Sequence, residues 1–147
     1  MEFETRGAFG AAEREYLAAM QAAPQEAGPR FNLGNALLAQ RRHRAAAERY
    51  EECLAIDPTH AAAWFNLAHA NEHLGRLPEA IACLERAVRA EPSYADAHFN
   101  LADLAERLGK ADIARRAWSE YLRLDSRGDW AKEARRRLQR SRGPAWA

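Results

Sequence analysis

The sequence predicts an all-α fold built from stacked pairs of antiparallel helices. The triplet Phe-Asn-Leu occurs at residues 31–33, 65–67 and 99–101, so each copy follows the last by 34 residues. A fixed period of this length is typical of repeat architectures in which every unit is one helix pair. The chain is also rich in alanine, which favours helix and allows helices to pack closely. We therefore expect an α-solenoid.

Composition limits the classes of partner. The net charge of the 147 residues is +1, which gives no electrostatic footprint for direct nucleic-acid binding. No apolar run is long enough to span a membrane, and the N-terminus lacks a signal-peptide pattern. Cys53 and Cys83 lack metal-ligand spacing, so the sequence predicts a cytoplasmic location. Arginine outnumbers lysine 20 to 2, which suggests a bacterial source.

Each period carries the same pattern of small and large side chains. Small residues at two positions let the helices approach closely, a larger residue fills the space beside them, and proline turns the chain into the next period. These positions hold, in chain order, Gly34, Ala68 and Ala102; Ala46, Ala80 and Ala114; Tyr50, Leu84 and Trp118; and Pro58, Pro92 and, where the pattern lapses, Ser126. The pattern predicts three helix pairs with closely packed interiors.

This spacing resembles the tetratricopeptide repeat, whose consensus places Leu-Gly, Ala, an aromatic residue and Pro at these offsets. The resemblance covers residues 27–128. It implies a right-handed superhelix of antiparallel helix pairs with a terminal capping helix. It also implies a non-catalytic scaffold that binds peptides or proteins in a concave groove.

The period also predicts how the chain is divided. We expect a single domain over residues 1–147 with four kinds of segment: a half-repeat or N-terminal cap (1–26), full repeats (27–60, 61–94 and 95–128), a C-terminal cap helix (129–140) and a tail (141–147). Gly75 and Gly109 are expected to end first helices, since glycine adopts the left-handed conformation, and Arg41 replaces glycine in the first repeat. Gly7 lies 34 residues before Arg41, so residues 1–26 are either a natural cap or the start of a piece of something longer.

The C-terminal cap is predicted to be amphipathic. Trp130, Ala134 and Leu138 are spaced to share one helix face, which we expect to be the buried face. Trp118 and Tyr121 are bulkier than the residues one period before them, so they are the expected partners of this helix.

The resemblance also assigns candidate binding residues, because the groove of the family is lined by fixed positions of each first helix. These positions hold Phe31, Asn32 and Asn35; Phe65, Asn66, His69 and His73; and Phe99, Asn100, Asp103 and Arg107, with Asp96 and Glu106 beside them. Asn32, Asn66 and Asn100 would form a ladder of amides able to pair with peptide groups, although they could instead bond locally. The phenylalanines would add an apolar stripe, unless the adjacent repeat or the termini cover it.

Two functions that the sequence suggests at first sight are disfavoured. Family members that clamp acidic chaperone tails use cations where this chain has Phe31, Asp96 and Asn100, so chaperone-tail binding is not expected. His69, Glu72 and His73 match an inverted zinc-protease motif. Asp103 or His98 of the next repeat could supply a third ligand. The motif residues nevertheless fall on ordinary groove positions and no second shell can be named, so we predict no enzyme, no cofactor and at most adventitious metal binding by His69 and His73.

The sequence therefore predicts a scaffold for a protein or peptide partner. A second possibility is self-association into a homo-oligomer through the N-terminal half-repeat or the basic C-terminal tail, where residues 129–147 hold six bases and two acids. A third is a docking or regulatory arm of a larger bacterial protein.

Overall fold

The computed structural model describes the backbone of residues 2–141 and the side chains of residues 10–141. Its described part contains eight helices: α1 (Glu2–Ala22), α2 (Ala27–Ala39), α3 (His43–Ile56), α4 (Ala61–His73), α5 (Leu77–Ala90), α6 (Ala95–Arg107), α7 (Ala111–Leu124) and α8 (Asp129–Ser141). The contacts form two compact units, residues 1–83 (unit 1) and 84–147 (unit 2), with the division inside α5. The single domain predicted over 1–147 stays a prediction. None of the described helices is long and apolar enough to cross a bilayer.

The helices follow the predicted order, with one difference at the N-terminus. α1 is continuous from Glu2 to Ala22 and passes through Gly7, which is equivalent to the residues that follow the first helices of the later repeats. It packs on α2, and its Glu13 forms an ion pair of 3.1 Å with Arg42 at the start of α3. Of the predicted tail, only Ser141 lies within the described residues, and it is the last residue of α8.

The expected left-handed residues end α2, α4 and α6. Gly75 and Gly109 have φ of 75° and 73°, and Arg41 has φ of 61°. After each, a backbone N–H bonds back to the last helical turn, as from Arg42 to the carbonyl of Leu37 at 3.0 Å. Arginine has a Cβ, so this conformation costs it on the order of 1 kcal/mol that glycine avoids. The first repeat thus keeps the turn at the expense of some strain.

In unit 1, Gly34 of α2 faces Tyr50 of α3 at close range. Both residues are buried, and Tyr50 has no exposed surface. A Cβ added to Gly34 would lie 2.6 Å from Cε1 of the Tyr50 ring. The ring therefore occupies the space that glycine leaves, as the small-and-large pattern predicted.

Unit 2 is closed by α8, but the buried face of this helix differs from the prediction. Ala131 and Ala134 are fully buried, Leu138 is half-buried, and Trp130 is 64% exposed. The prediction that Trp130 belongs to the buried face is wrong. The buried stripe runs through residues 131, 134 and 138, which share one side of a 3.6-residue helix, and position 130 lies to one side of that stripe.

Replacing Gly34 by alanine tests the close approach of α2 and α3. We expect Gly34→Ala to lower the free energy of unfolding by about 1–3 kcal/mol, because the added methyl group would overlap the fully buried Tyr50 ring. Gly28→Ala is the matched control in the same helix, since nothing lies within 4 Å of its added Cβ. In urea denaturation, the changes in the free energy of unfolding of the two variants should differ clearly or have opposite signs. Equal effects would show that the ring does not restrict Gly34.

Candidate functional site

Two side-chain amides and a tyrosine hydroxyl form a network in unit 1. Oδ1 of Asn35 accepts hydrogen bonds from the hydroxyl of Tyr50 at 2.6 Å and from Nδ2 of Asn66 at 2.9 Å. Asn35 lies on α2, Tyr50 on α3 and Asn66 on α4, so one oxygen joins three helices. Burial is the main cause that raises the pKa of Tyr50, so its hydroxyl remains protonated and able to donate.

The network determines which amide atoms of Asn35 and Asn66 remain available to other partners. Both donors use Oδ1 of Asn35, so its Nδ2 has no partner among residues 10–141. Asn66 donates through Nδ2, and its Oδ1 remains an acceptor. Both residues are half-buried. The sequence left open whether Asn32, Asn66 and Asn100 bond to other groups of the protein, and Asn66 does bond, to Asn35 of the preceding helix pair. Asn32 is exposed with no side-chain bond among the described residues, and the ladder stays a prediction.

The phenylalanines of unit 1 are partly covered by histidine rings. The ring of Phe31 lies 4.5 Å from that of His60 between centroids, and the ring of Phe65 meets that of His69 edge-on at 5.1 Å. Both phenylalanines are half-buried. We call the surface of Phe31, Asn32, Asn35, Phe65, Asn66, His69 and His73 the α2–α4 face. It combines oriented amides with half-buried aromatic rings.

A pair of stacked histidines lies at one end of this face. One of them, His43, was not among the residues predicted from the sequence. The rings of His43 and His73 are nearly parallel, with centroids 4.4 Å apart and an interplanar angle of 12°. Nδ1 of His73 lies 2.9 Å from the carbonyl oxygen of His69, to which it donates when protonated. Burial, followed by the charges of His73 and Arg41, lowers the pKa of His43.

The two-histidine metal hypothesis gains no third ligand. Within residues 10–141, no three side chains of the metal-binding types converge on one point. One ring nitrogen of His73 is already directed at the His69 carbonyl, which leaves one nitrogen for a ligand. The geometry thus gives no built site for a structural or catalytic zinc ion.

In unit 2, the candidate residues of α6 are engaged by α8. Arg137 donates to Asp103 and to Glu106, each at 2.7 Å, and its guanidinium lies 5.0 Å from the ring centroid of Trp118. Arg140 reaches Glu106 at 3.1 Å, and Arg107 lies 4.0 Å from Asp103. Asp103, predicted to face a ligand, is therefore neutralised within the chain.

Phe99 lies at the centre of an aromatic cluster. Its ring meets those of Trp118, Tyr121 and Trp130 edge-on, at centroid distances of 4.9, 5.2 and 5.3 Å. The C-terminal helix thus covers part of the predicted apolar stripe, which was one of the alternatives left open. The half-buried Asn100 forms no side-chain bond within the described range.

α8 contributes to this surface, which the sequence did not predict. The pairs Asp103–Arg137 and Glu106–Arg140 are each separated by 34 residues, so α8 continues the repeat period. Extending the frame by one period would have identified both arginines and Trp130. We call the surface of Phe99, Asn100, Asp103, Glu106, Arg107, Trp130, Arg137 and Arg140 the α6–α8 face.

Unit 2 also has a depression of about 430 Å³ between α5, α6 and α7. Val88, Leu101 and Ile113 supply apolar lining, and two acids and two bases, Glu85, Arg89, Arg116 and Glu120, lie around them. The balanced charges select no sign of ligand, so this depression is a weaker candidate than either face.

Comparison with known proteins identifies the repeats. Two family models described as tetratricopeptide repeat match residues 37–93 and 75–129, and together they cover well over half of the chain. The chain belongs to the tetratricopeptide-repeat family. A search of curated proteins finds no significant match.

Solved structures agree with the tetratricopeptide fold. A MamA structure is 24% identical with a TM-score of 0.77, over 95% of this chain and 80% of that one. A tetratricopeptide repeat protein from Parabacteroides merdae is 21% identical with a TM-score of 0.82, over 97% of this chain and 57% of that one. The first such domain of Spaghetti, solved with the HSP90 peptide SRMEEVD, is 22% identical with a TM-score of 0.72, over 82% and 95%. The predicted all-α tetratricopeptide fold is confirmed.

The histidine stack makes stability depend on pH. The folded-state pKa of His43 is below the ordinary 6.5, so the unfolded chain binds this proton more readily. Stability is therefore present above pH about 6.5 and decreases as the pH falls from there toward the folded-state value. Thermal unfolding followed through this range should show the decrease, and His43→Phe, which keeps a ring against His73, should reduce it. Arg44→Gln, a neighbouring exposed base, should keep the wild-type slope, and an unchanged slope in His43→Phe would contradict the assignment.

Proposed function

We propose that this protein is a non-catalytic interaction scaffold that binds an extended segment of a partner protein on the α2–α4 face. Membership of the tetratricopeptide-repeat family supports the scaffold, because the repeats of this family serve mainly to hold other proteins. The observation that carries the choice of face is the oxygen of Asn35 shared by Tyr50 and Asn66.

The orientation of the amides matches a peptide backbone. Nδ2 of Asn35 can donate to a carbonyl of the segment, and Oδ1 of Asn66 can accept from an N–H. These two groups are the complement of a peptide unit, so they grip the backbone irrespective of its side chains. Because internal bonds already hold both amides, little side-chain entropy is lost when the segment binds.

The aromatic rings beside the amides suit apolar side chains of the segment. Phe31 and Phe65 are half-buried, so each retains accessible surface next to the network. Burying that surface on binding contributes about 25 cal/mol for each Å². An extended segment that alternates backbone contact with apolar side chains would use both features.

The charges disfavour an acidic segment of the kind bound by one structural neighbour. The Spaghetti domain was solved with the peptide SRMEEVD, which has three acidic residues. Asn35 and Asn66 match the clamp positions of such proteins, but its cations are replaced by Phe31, Asp96 and Asn100. We therefore propose an apolar or neutral segment for the α2–α4 face.

Asn35→Asp provides the sharpest test of this binding mode. The carboxylate can still accept from Tyr50 and Asn66, but it has no outward N–H, so the fold is kept while the donor to the peptide is lost. A peptide selected from a random library against the wild-type protein should bind Asn35→Asp about tenfold more weakly, which corresponds to about 1.4 kcal/mol.

Two further variants make this measurement decisive. Asn66→Ala should weaken the same peptide by a comparable factor, and Glu48→Ala, an exposed residue of α3, should leave its affinity unchanged. Fluorescence polarisation gives the affinities, and circular dichroism checks that each variant is folded. Unchanged affinity in Asn35→Asp and Asn66→Ala would rule out the α2–α4 face as the peptide site.

A further inference from the structure

Trp130 is an exposed aromatic residue on a firmly docked helix. Its side chain is 64% exposed, although the neighbouring Ala131 and the more distant Ala134 of α8 are completely buried. The exposure therefore does not come from a loosely packed helix. The indole ring also packs edge-on against Phe99 at 5.3 Å, so it stands at the edge of the aromatic cluster and is not a solitary surface residue.

The cluster makes Trp130 a rigid platform. Phe99, which contacts it, is itself held by the buried rings of Trp118 and Tyr121 at 4.9 and 5.2 Å. A ring held by edge-on contacts loses little conformational freedom when a partner covers it. Exposed tryptophans in such settings are frequent energetic centres of interfaces.

One side of the same cluster already binds a guanidinium. Arg137 lies over Trp118 at 5.0 Å, and its charge is paired with Asp103 and Glu106 at 2.7 Å each. The guanidinium of Arg137 thus has both an aromatic ring and carboxylates as partners within the chain. This arrangement gains both cation–π attraction and charge-assisted hydrogen bonds.

At the other side, a ring and a carboxylate occur without a cation of their own. Asp96 is exposed and lies one turn before Phe99 on α6, so the two side chains share a helix face. No base within residues 10–141 pairs with its carboxylate. Burial, then the hydrogen bond and charge of Asp125, and then the charge of Asp96 raise the pKa of Tyr121 to about 12, so the charge of Asp96 acts on one ring of the cluster.

One nearby base is already engaged. The guanidinium of Arg135 donates to the carbonyl of Ser126 at 2.9 Å, and it interacts with Asp125. Asp125 also accepts a hydrogen bond of 2.8 Å from the hydroxyl of Tyr121. Asp96 is thus a carboxylate without a paired base in the described chain, one helical turn from Phe99, the ring on which Trp130 packs.

We propose that Trp130 and Asp96 bind an arginine side chain of the partner, with its guanidinium stacked on the indole and paired with the carboxylate. Arginine fits better than lysine, because its planar guanidinium stacks on rings and bonds carboxylates with two parallel N–H groups. The inference rests on the proposed scaffold function and adds a basic side chain to the chemistry of the partner.

The experiment uses acetyl-arginine amide as the probe and acetyl-citrulline amide as its neutral isostere. Both are titrated into the labelled 147-residue chain while the indole N–H signals are followed by NMR, with the Trp130 signal assigned from Trp130→Phe. Arginine amide should shift the Trp130 signal with at least about fivefold higher affinity than citrulline amide, a difference of about 1 kcal/mol.

Variants separate the two contributions. Asp96→Asn should reduce the preference for arginine over citrulline and weaken its salt dependence, and Trp130→Ala should abolish binding of both probes. Asp112→Asn, an exposed acid on α7, is the matched control and should behave as wild type. Equal affinity for arginine and citrulline in the wild-type protein would overturn the proposal, as would an Asp96→Asn variant that keeps the full preference.

A second measurement distinguishes a partner arginine from a second copy of the chain at Trp130, and it separates failure of this site from failure of the proposed function. If light scattering shows a wild-type oligomer that Trp130→Ala converts to a monomer, the ring is covered by a second copy of the chain and the arginine proposal is wrong. Binding of the selected peptide to the α2–α4 face is measured independently through Asn35→Asp. Failure at Trp130 with intact dependence on Asn35 would therefore reject this site and leave the scaffold proposal standing.

Discussion

The packing of Tyr50 connects the core of unit 1 to its candidate binding face. Its ring fills the space that Gly34 leaves between α2 and α3, and its hydroxyl donates to Oδ1 of Asn35. The same oxygen accepts from Asn66 of α4. A helix-packing requirement of the repeat thereby also determines how two surface amides are oriented, and the proposed backbone recognition depends on that orientation.

Arg137 has a corresponding role in unit 2. It joins α8 to α6 through Asp103 and Glu106, and it covers the ring of the fully buried Trp118. Several weak pairs on one guanidinium form a network whose geometry is better defined than that of isolated surface ion pairs. The result is that α8 presents Trp130 beside Phe99 in a fixed position. Both candidate faces therefore consist of side chains held in place by residues that also stabilise the fold.

The repeat period predicted the helices well because it reports local and near-neighbour constraints. The small residue at 34, the large residue at 50 and the left-handed residues at 41, 75 and 109 all follow from one frame. The same period also relates α8 to α6, since Asp103–Arg137 and Glu106–Arg140 are each 34 residues apart. The period could not predict which side of α8 is buried. Both a face with Ala131 and Ala134 and a face with Trp130 are apolar, and the structure buries the alanines.

The sequence was less informative about contacts that do not repeat. The stack of His43 on His73 joins residues 30 apart at non-equivalent positions, so no spacing rule points to it. The asparagine positions were predicted, but the direction of each amide depends on Tyr50 and is a property of the folded chain. The predicted bacterial source, cytoplasmic location and possible homo-oligomer stay predictions.

Tyr50→Phe tests the link between packing and recognition most directly, because it keeps the ring and removes only the hydroxyl. The account predicts a loss of about 1 kcal/mol in the free energy of unfolding, together with a loss of about tenfold or more in affinity for the peptide selected on the α2–α4 face. Tyr121→Phe is the control, since it removes a hydroxyl bonded to Asp125 in unit 2 and should lower stability without changing that affinity. Peptide affinity that stays at the wild-type value in Tyr50→Phe would contradict the account.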